Sequence, residues 1–367
     1  MNGQESEGIT NQEAPVQEAS GQKHQRRKRY SGAYPRRFDE KYKELQPEKY
    51  GDTIEKVIRK GNTPAGMHLS ICVEEILAFF QIQPGQRGLD ATLGYGGHTQ
   101  RMLECLKGSG HLTALDVDPI ESAKTRERLA RAGYGPELLT VKLENFANID
   151  RVAQEMGKFD FILADLGVSS MQIDNPSRGF TYKAEGPLDL RMNPLEGISA
   201  SDRLLSVSRD ELIGMLQENS DEPYARQIAG KVAERNRRSK APWTTTELHG
   251  VIRDALHFLP QSERQKAVQK SSQRTFQALR IDVNHEFEVL YQFLEKLPDV
   301  LAPGGKVAIL TFHSGEDRLV KQSFRDFYRV GLYQDIAREV IRPSAQECAR
   351  NSRAHSTKMR WAIRQDF

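Results

Sequence analysis

The segment Asp90-Ala-Thr-Leu-Gly-Tyr-Gly-Gly-His98 sets three glycines between an apolar run at residues 88–92 and a helical pattern at residues 97–107. Glycine tolerates positive φ and lets a backbone come close to a ligand. In an open parallel sheet, ligands sit beyond the carboxyl ends of the strands, where such a loop belongs. A second apolar run, residues 112–116, ends on Asp116. A carboxylate about 20 residues past the glycines suits the two hydroxyls of a ribose and repels a 2′-phosphate. The ligand expected is an adenosine-type nucleotide or nucleoside.

Two cofactors meet that description, a nicotinamide dinucleotide and S-adenosylmethionine. The spacing G-x-G-G lacks the third glycine of the dinucleotide fingerprint, and no Lys-Ser/Thr pair follows to make a P-loop. A glycine turn with no ligand remains the bland alternative.

These residues need a scaffold. Short apolar runs at 88–92, 112–116, 139–143, 159–165 and 307–312 alternate with helical patterns at 97–107, 119–132 and 284–297. An amphipathic stripe at Val73, Ile76, Leu77 and Phe80 marks a further helix before them. Such alternation predicts an α/β fold with a mostly parallel sheet and helices on both faces. It breaks between about residues 175 and 270, where apolar residues recur only at helical spacing, which predicts an inserted helical domain. The expected organisation is an N-terminal extension at 1–60, a first sheet portion at 61–175, the insertion at 176–271 and a second sheet portion at 272–367.

Length and composition agree. At 367 residues the chain is long enough for about two domains. With 38% hydrophobic and 28% charged residues it can bury a core, which excludes a wholly disordered chain. No stretch approaches the roughly 20 apolar residues of a membrane span. Cys72, Cys105 and Cys348 lie far apart, in neither a disulfide framework nor a zinc-ligand spacing, and a reducing, cytoplasmic setting is expected. The net charge of +3 hides an asymmetry. Four glutamates and no Lys or Arg occupy residues 1–21, and the run Lys23-His-Gln-Arg-Arg-Lys-Arg29 then reverses the sign. That run is either a nucleic-acid arm or a solvated tail.

The motifs together carry a resemblance. His68-Leu-Ser-Ile-Cys-Val-Glu-Glu-Ile-Leu77, the glycine loop, Asp165-Leu-Gly-Val-Ser-Ser-Met-Gln172, Arg178-Gly-Phe, Gly186-Pro-Leu-Asp-Leu-Arg-Met192, Arg274-Thr-Phe-Gln-Ala-Leu-Arg-Ile281, Leu301-Ala-Pro-Gly-Gly305 and Phe312-His-Ser-Gly-Glu-Asp-Arg318 resemble, in order, the MraW/RsmH family. The resemblance covers roughly residues 67 to 364. Two positions depart from the family pattern, Tyr95 and Gly315, and the basic extension lies outside it.

That family implies a class I S-adenosylmethionine-dependent methyltransferase, Rossmann-like, with an inserted helical substrate-recognition domain. The implied reaction is methylation of the exocyclic N4 of a cytidine in the decoding region of 16S ribosomal RNA, within the small ribosomal subunit, with no metal and no membrane. A homodimer stays open. So do a methyltransferase of this fold acting on another RNA, a nicotinamide-dependent oxidoreductase and a non-catalytic ribosome-assembly factor. The resemblance further implies cofactor contacts at Gly96, Gly97, His98, Asp116, Phe146, Asp165 and Gln172.

Transfer from a sulfonium is an in-line displacement, so alignment supplies much of the acceleration. The acceptor is the harder part, because a cytosine amine shares its lone pair with the ring until an N–H is polarised. Asp165 could accept that hydrogen bond, hold the cofactor's amino group, or merely cap a turn. Phe146 could pack on adenine or be a core side chain. Arg178 and Arg191 could grip phosphates, and Phe180 or Tyr182 could stack on a base. Arg226, Lys231, Arg235 and Arg238 recur at helical spacing, as an RNA-facing stripe or a solvated face. Ser314 with Asp317 reads as a helix cap, His313 as a proton carrier or a structural ring, and Pro303-Gly304-Gly305 as a turn.

Overall fold

The computed structural model describes residues 70–367. The basic run at 23–29, the rest of the expected extension and His68 lie outside them.

The chain opens on α1 (Val73–Phe80), β1 (Arg87–Asp90) and α2 (Gly97–Leu106). Next come β2 (His111–Asp116), α3 (Pro119–Arg131) and β3 (Leu139–Leu143). A 3-10 turn at Phe146–Asn148 leads to α4 (Ile149–Met156), β4 (Phe159–Asp165) and the short α5 (Ser170–Asp174). The helical segment comprises α6 (Ala200–Ser206), α7 (Arg209–Ser220), α8 (Ala225–Arg238), α9 (Thr245–Ala255) and α10 (Gln261–Asn284). It is followed by α11 (Glu286–Val300), β5 (Leu301–Thr311), α12 (Ser314–Arg329) and β6 (Tyr333–Ile336). The last elements are α13 (Ala345–Arg350) and β7 (Lys358–Arg364).

The strands form one seven-stranded sheet in the order β3-β2-β1-β4-β5-β7-β6. Strands β1 to β5 run parallel, and β7 is antiparallel to both its neighbours. The direction of winding reverses between β1 and β4, so the crevice for a ligand opens there. Alternate residues of each strand point to opposite faces. Leu89, Leu115, Ile162, Val307 and Ile309 bury against α4, α11 and α12. Leu112, Ala114, Phe161, Leu163, Ala308 and Leu310 bury against α1, α2 and α3.

The helical segment carries its own core, with Leu204, Leu216, Ile228, Trp243, Leu248, Ile252 and Leu279 in one cluster. Trp243 is fully buried and donates its Nε1 hydrogen to Asn236 Oδ1 at 3.1 Å, so its one polar group is satisfied. No helix among the described residues is long and apolar enough to cross a membrane.

Several expectations shift. Helix α10 runs unbroken through the expected boundary at 271–272, so that boundary lies inside a helix and not in a linker. The helix expected from residue 284 begins at Glu286, because His285 adopts a left-handed conformation (φ 51°) and ends α10. Residues 303–305 form a bulge within β5, not a turn before it. Leu301 pairs with Phe159 and the register resumes at Lys306 opposite Phe161. Proline has no N–H to give the ladder and Gly304 sits at φ 70°, which accounts for the interruption.

Candidate active site

The first parallel strand pair ends in the glycine loop. Gly94 and Gly96 both lie at positive φ, 49° and 73°. A Cβ on Gly96 would come within 2.8 Å of Thr125 Cγ2, and one on Gly97 within 2.1 Å of Ser70 Oγ. Glycine is therefore required by space as well as by conformation. The Gly94 amide donates to Asp116 Oδ2 at 2.8 Å, and the Asp118 amide donates to Asp116 Oδ1 at 2.8 Å. Both oxygens of Asp116 are thus oriented from behind, with lone pairs left for a ligand. Burial pushes Asp116 up to about 6, against the pull of those two amides.

Behind Asp116 lies a fully buried node. Asp118 caps α3, accepting from the amides of Ile120 and Glu121 at 3.0 and 3.2 Å. Its other oxygen accepts from Arg178 at 2.7 Å and from Gln172 Nε2 at 2.8 Å. Arg178 also donates to the carbonyls of Arg191 and Met192, at 3.1 and 2.8 Å. Gln172 closes a capping box with Ser169 at the start of α5.

Asp165 ends β4 across the crevice. Its amide donates to Thr92 Oγ1 at 2.7 Å. Its Oδ2 lies 3.6 Å from His98 Nδ1, while Oδ1 is buried and accepts no hydrogen bond. Burial pushes Asp165 up to about 6, with His98 drawing it back and Asp90 and Glu316 adding to the rise. His98 is itself buried, and its Nε2 lies 2.9 Å from the Ile71 carbonyl.

All seven residues expected at the cofactor, Gly96, Gly97, His98, Asp116, Phe146, Asp165 and Gln172, line one cleft of about 1160 Å³. The ring of Phe146 meets Phe293 edge-on at 5.0 Å, packed against the core, and it borders the cleft.

The residues expected at RNA fare differently. Arg178 is buried and committed to Asp118 and two carbonyls, so it is not placed to grip a phosphate. A buried guanidinium needs acceptors, and these supply them. Phe180 and Tyr182 pack, partly buried, on the core of the helical segment, with Tyr182 stacked on His249 at 4.9 Å. Arg235 turns inward, bonded twice to Glu247 at 2.8 Å and lying over Trp243. Arg191 does line the cleft, held by two 2.8 Å bonds to Asp189. Arg226 and Arg238 are exposed on α8, and Arg238 pairs with Glu234.

The cap expected from Ser314 and Asp317 is shifted by one residue. His313 is the N-cap, and Glu316 accepts from the Phe312 amide at 2.8 Å. Asp317 instead binds Lys358 and Arg360 of β7.

Sequence reading missed Asp118, whose place before a proline at the first helical position is a start signal that could have found it. It also missed Arg280, bonded twice to Glu286 at the far wall of the cleft, and Asn284. Asn284 clamps the strained Leu190 (φ 63°) by bonding the Leu190 carbonyl and the Met192 amide at 2.8 and 2.7 Å.

Comparison with known proteins places this geometry in context. Residues 65–365 match the profile described as the MraW methylase family. A protein of Lachnoclostridium phytofermentans named ribosomal RNA small subunit methyltransferase H 1 is 65% identical over 341 residues, covering 93% of each chain. One of the same name from Agathobacter rectalis is 64% identical over 341 residues, covering 93% of this chain and 98% of its own. A protein of Alkaliphilus metalliredigens named ribosomal RNA small subunit methyltransferase H 2 is 61% identical, covering 94% and 98%.

Proposed function

The chain belongs to the MraW methylase family, and from that premise we propose that it methylates the exocyclic N4 of a cytidine in the decoding region of 16S ribosomal RNA. Its fold is that of a class I methyltransferase and its methyl donor is S-adenosylmethionine. The observation that carries the reading is the meeting of the glycine loop, Asp116 and Asp165 in one cleft.

The residues fit that donor. The loop is bare of side chains where a Cβ would clash, and Asp116 offers oriented acceptors to two ribose hydroxyls. The cleft exceeds the roughly 300–1000 Å³ typical of one small ligand, which leaves room for a base beside it. When bound, S-adenosylmethionine supplies an electrophilic methyl carbon on a sulfonium.

Asp116 holds the ribose and Phe146 borders the adenine. Asp165 accepts a hydrogen bond from the cytosine amine, which frees the nitrogen lone pair for attack. The target base must leave its stack to reach the cleft. The helical segment serves as the substrate-holding domain, with Arg226, Lys231 and Arg238 on α8 facing phosphates. An assembled small subunit is the proposed substrate.

Mass spectrometry of nucleosides from small-subunit RNA tests this. Cells lacking the protein should lose N4-methylated cytidine at one site, and the purified enzyme with S-adenosylmethionine should restore it. An unchanged nucleoside profile refutes the assignment.

A further inference from the structure

A carbonyl oxygen can only accept, so the His98 nitrogen 2.9 Å from the Ile71 carbonyl must carry a hydrogen. That fixes the tautomer. With Nε2 protonated, neutral His98 turns the bare lone pair of Nδ1 toward Asp165 Oδ2 at 3.6 Å. Two electron-rich atoms then lie 3.6 Å apart at the cleft wall, His98 buried and Asp165 partly exposed, with no hydrogen between them. The other carboxylate oxygen, Asp165 Oδ1, is buried and unpaired. A carboxylate shielded from water and short of donors binds a proton more tightly than one in solution. Nothing assigned to His98 so far uses this geometry.

We infer that His98 and Asp165 form a two-site proton acceptor, in which His98 is a positioning residue that stabilises the proton Asp165 takes from the cytosine amine. The inference rests on the proposed reaction. In it, N4 forms a bond to the methyl carbon as the carbon–sulfur bond breaks, and that bond's electron pair stays on sulfur. The nitrogen now carries one proton too many. Asp165 takes that proton and shares it with His98 Nδ1, so the repulsive pair becomes a hydrogen-bonded one. Solvent entering the cleft after the product leaves recovers the proton, and the pair returns to its starting state.

The groups around the pair favour proton uptake. Asp90 at the end of β1 and Glu316 on α12 raise the proton affinity of Asp165; His98 draws it down only as a cation, and the neutral tautomer described above does not. Glu347 on α13 and the Cys72 thiol ahead of α1 complete the surroundings. Cys72 is held neutral by burial, with Glu75, Glu347 and Asp165 adding to the rise.

The test is the pH dependence of single-turnover methylation of small subunits, comparing wild type with His98→Gln and His98→Asn. The wild-type rate should rise with pH as the pair loses its shared proton, then level off. In both variants one of the two proton sites is gone. The rising limb should therefore move to lower pH, by about one unit, and the plateau should fall at least about tenfold. Far-UV circular dichroism and the urea-unfolding midpoint serve as the folding control. A ring that merely supports the cofactor would scale the rate equally at every pH, and that result overturns the inference.

Nitrogen-15 NMR of His98 in the wild-type protein with S-adenosylhomocysteine gives a second reading that needs no variant. On the rate plateau Nε2 should be protonated and Nδ1 bare, as the Ile71 carbonyl dictates. A bare Nε2 also overturns it. If wild type fails to methylate at every pH, it is the reaction assigned above that fails, and the NMR result still judges the pair.

Discussion

The ends of β2 and β4 carry the same residue type, and burial has pushed both carboxylates up to about 6. Their partners differ. Asp116 receives two backbone amides at 2.8 Å, one on each oxygen. Asp165 has one oxygen near an imidazole and the other with no donor at all. Fixed amides orient a carboxylate without taking or giving a proton, which is what holding a sugar requires. An unpaired oxygen beside a titratable ring leaves the group ready to change protonation state. Environment, more than residue identity, divides the labour between two aspartates.

The division can be broken most sharply at Asp165. Asp165→Asn should lower the methylation rate about a thousandfold while S-adenosylhomocysteine still binds within a few-fold of wild type, as calorimetry would read. The same variant should be more stable at neutral pH. The raised pKa means the folded state holds the Asp165 proton more tightly than the unfolded chain, so stability is lost as pH rises from about 4 to 6. Asparagine removes that loss, and a gain on the order of 2 kcal/mol in urea unfolding at pH 7.5 should vanish below about pH 4.

Arg178→Ala strikes behind the other carboxylate. It strands Asp118 as a buried charge, and roughly 3 kcal/mol of stability should go with it. Cofactor affinity should weaken too, because Asp118 positions Asp116, yet the shape of the pH–rate profile should not change. Asp116→Ala should be mildest, costing about 30-fold in S-adenosylhomocysteine affinity with little effect on the rate at saturating cofactor. Equal losses of binding and rate in the Asp116 and Asp165 variants would erase the distinction.

Much of this was legible before the fold was seen. Strands β3 and β4 occupy the spans expected, β2 starts one residue earlier, and β1 starts one residue and ends two residues earlier, because parallel strands read as short, mainly apolar runs. Helix α1 matches its stripe. Strand β7 was invisible, since Lys358-Met-Arg-Trp-Ala-Ile-Arg mixes charge with apolar residues and resembles no buried run. The seven positions that the family resemblance implies for the cofactor line one cleft, because the glycine loop and the strand ends meet there.

Arg178 and Arg235 turn inward, away from any phosphate, for one shared reason. A motif shows which side chains are special but not which way they face. Arg178 meets Asp118 from sixty positions along the chain, and Arg235 meets Glu247 from twelve. Such pairings are decided by packing, which spacing does not encode. His313 was misread because histidine is an uncommon N-cap, so the eye passes to the serine beside it.

One feature of the sheet bears on how the molecule is made. Strand β5 lies beside β4, yet the ribosome emits β4 by Asp165 and does not begin β5 until Leu301. Throughout that interval the inner edge of β4 has bare amides and carbonyls and no neighbour to take them. The helical segment, with its local contacts, can condense first and shield that edge while synthesis continues. A lesion that delays its condensation, even one remote from the cleft, should therefore show itself as insoluble protein during expression before it shows as lost methylation.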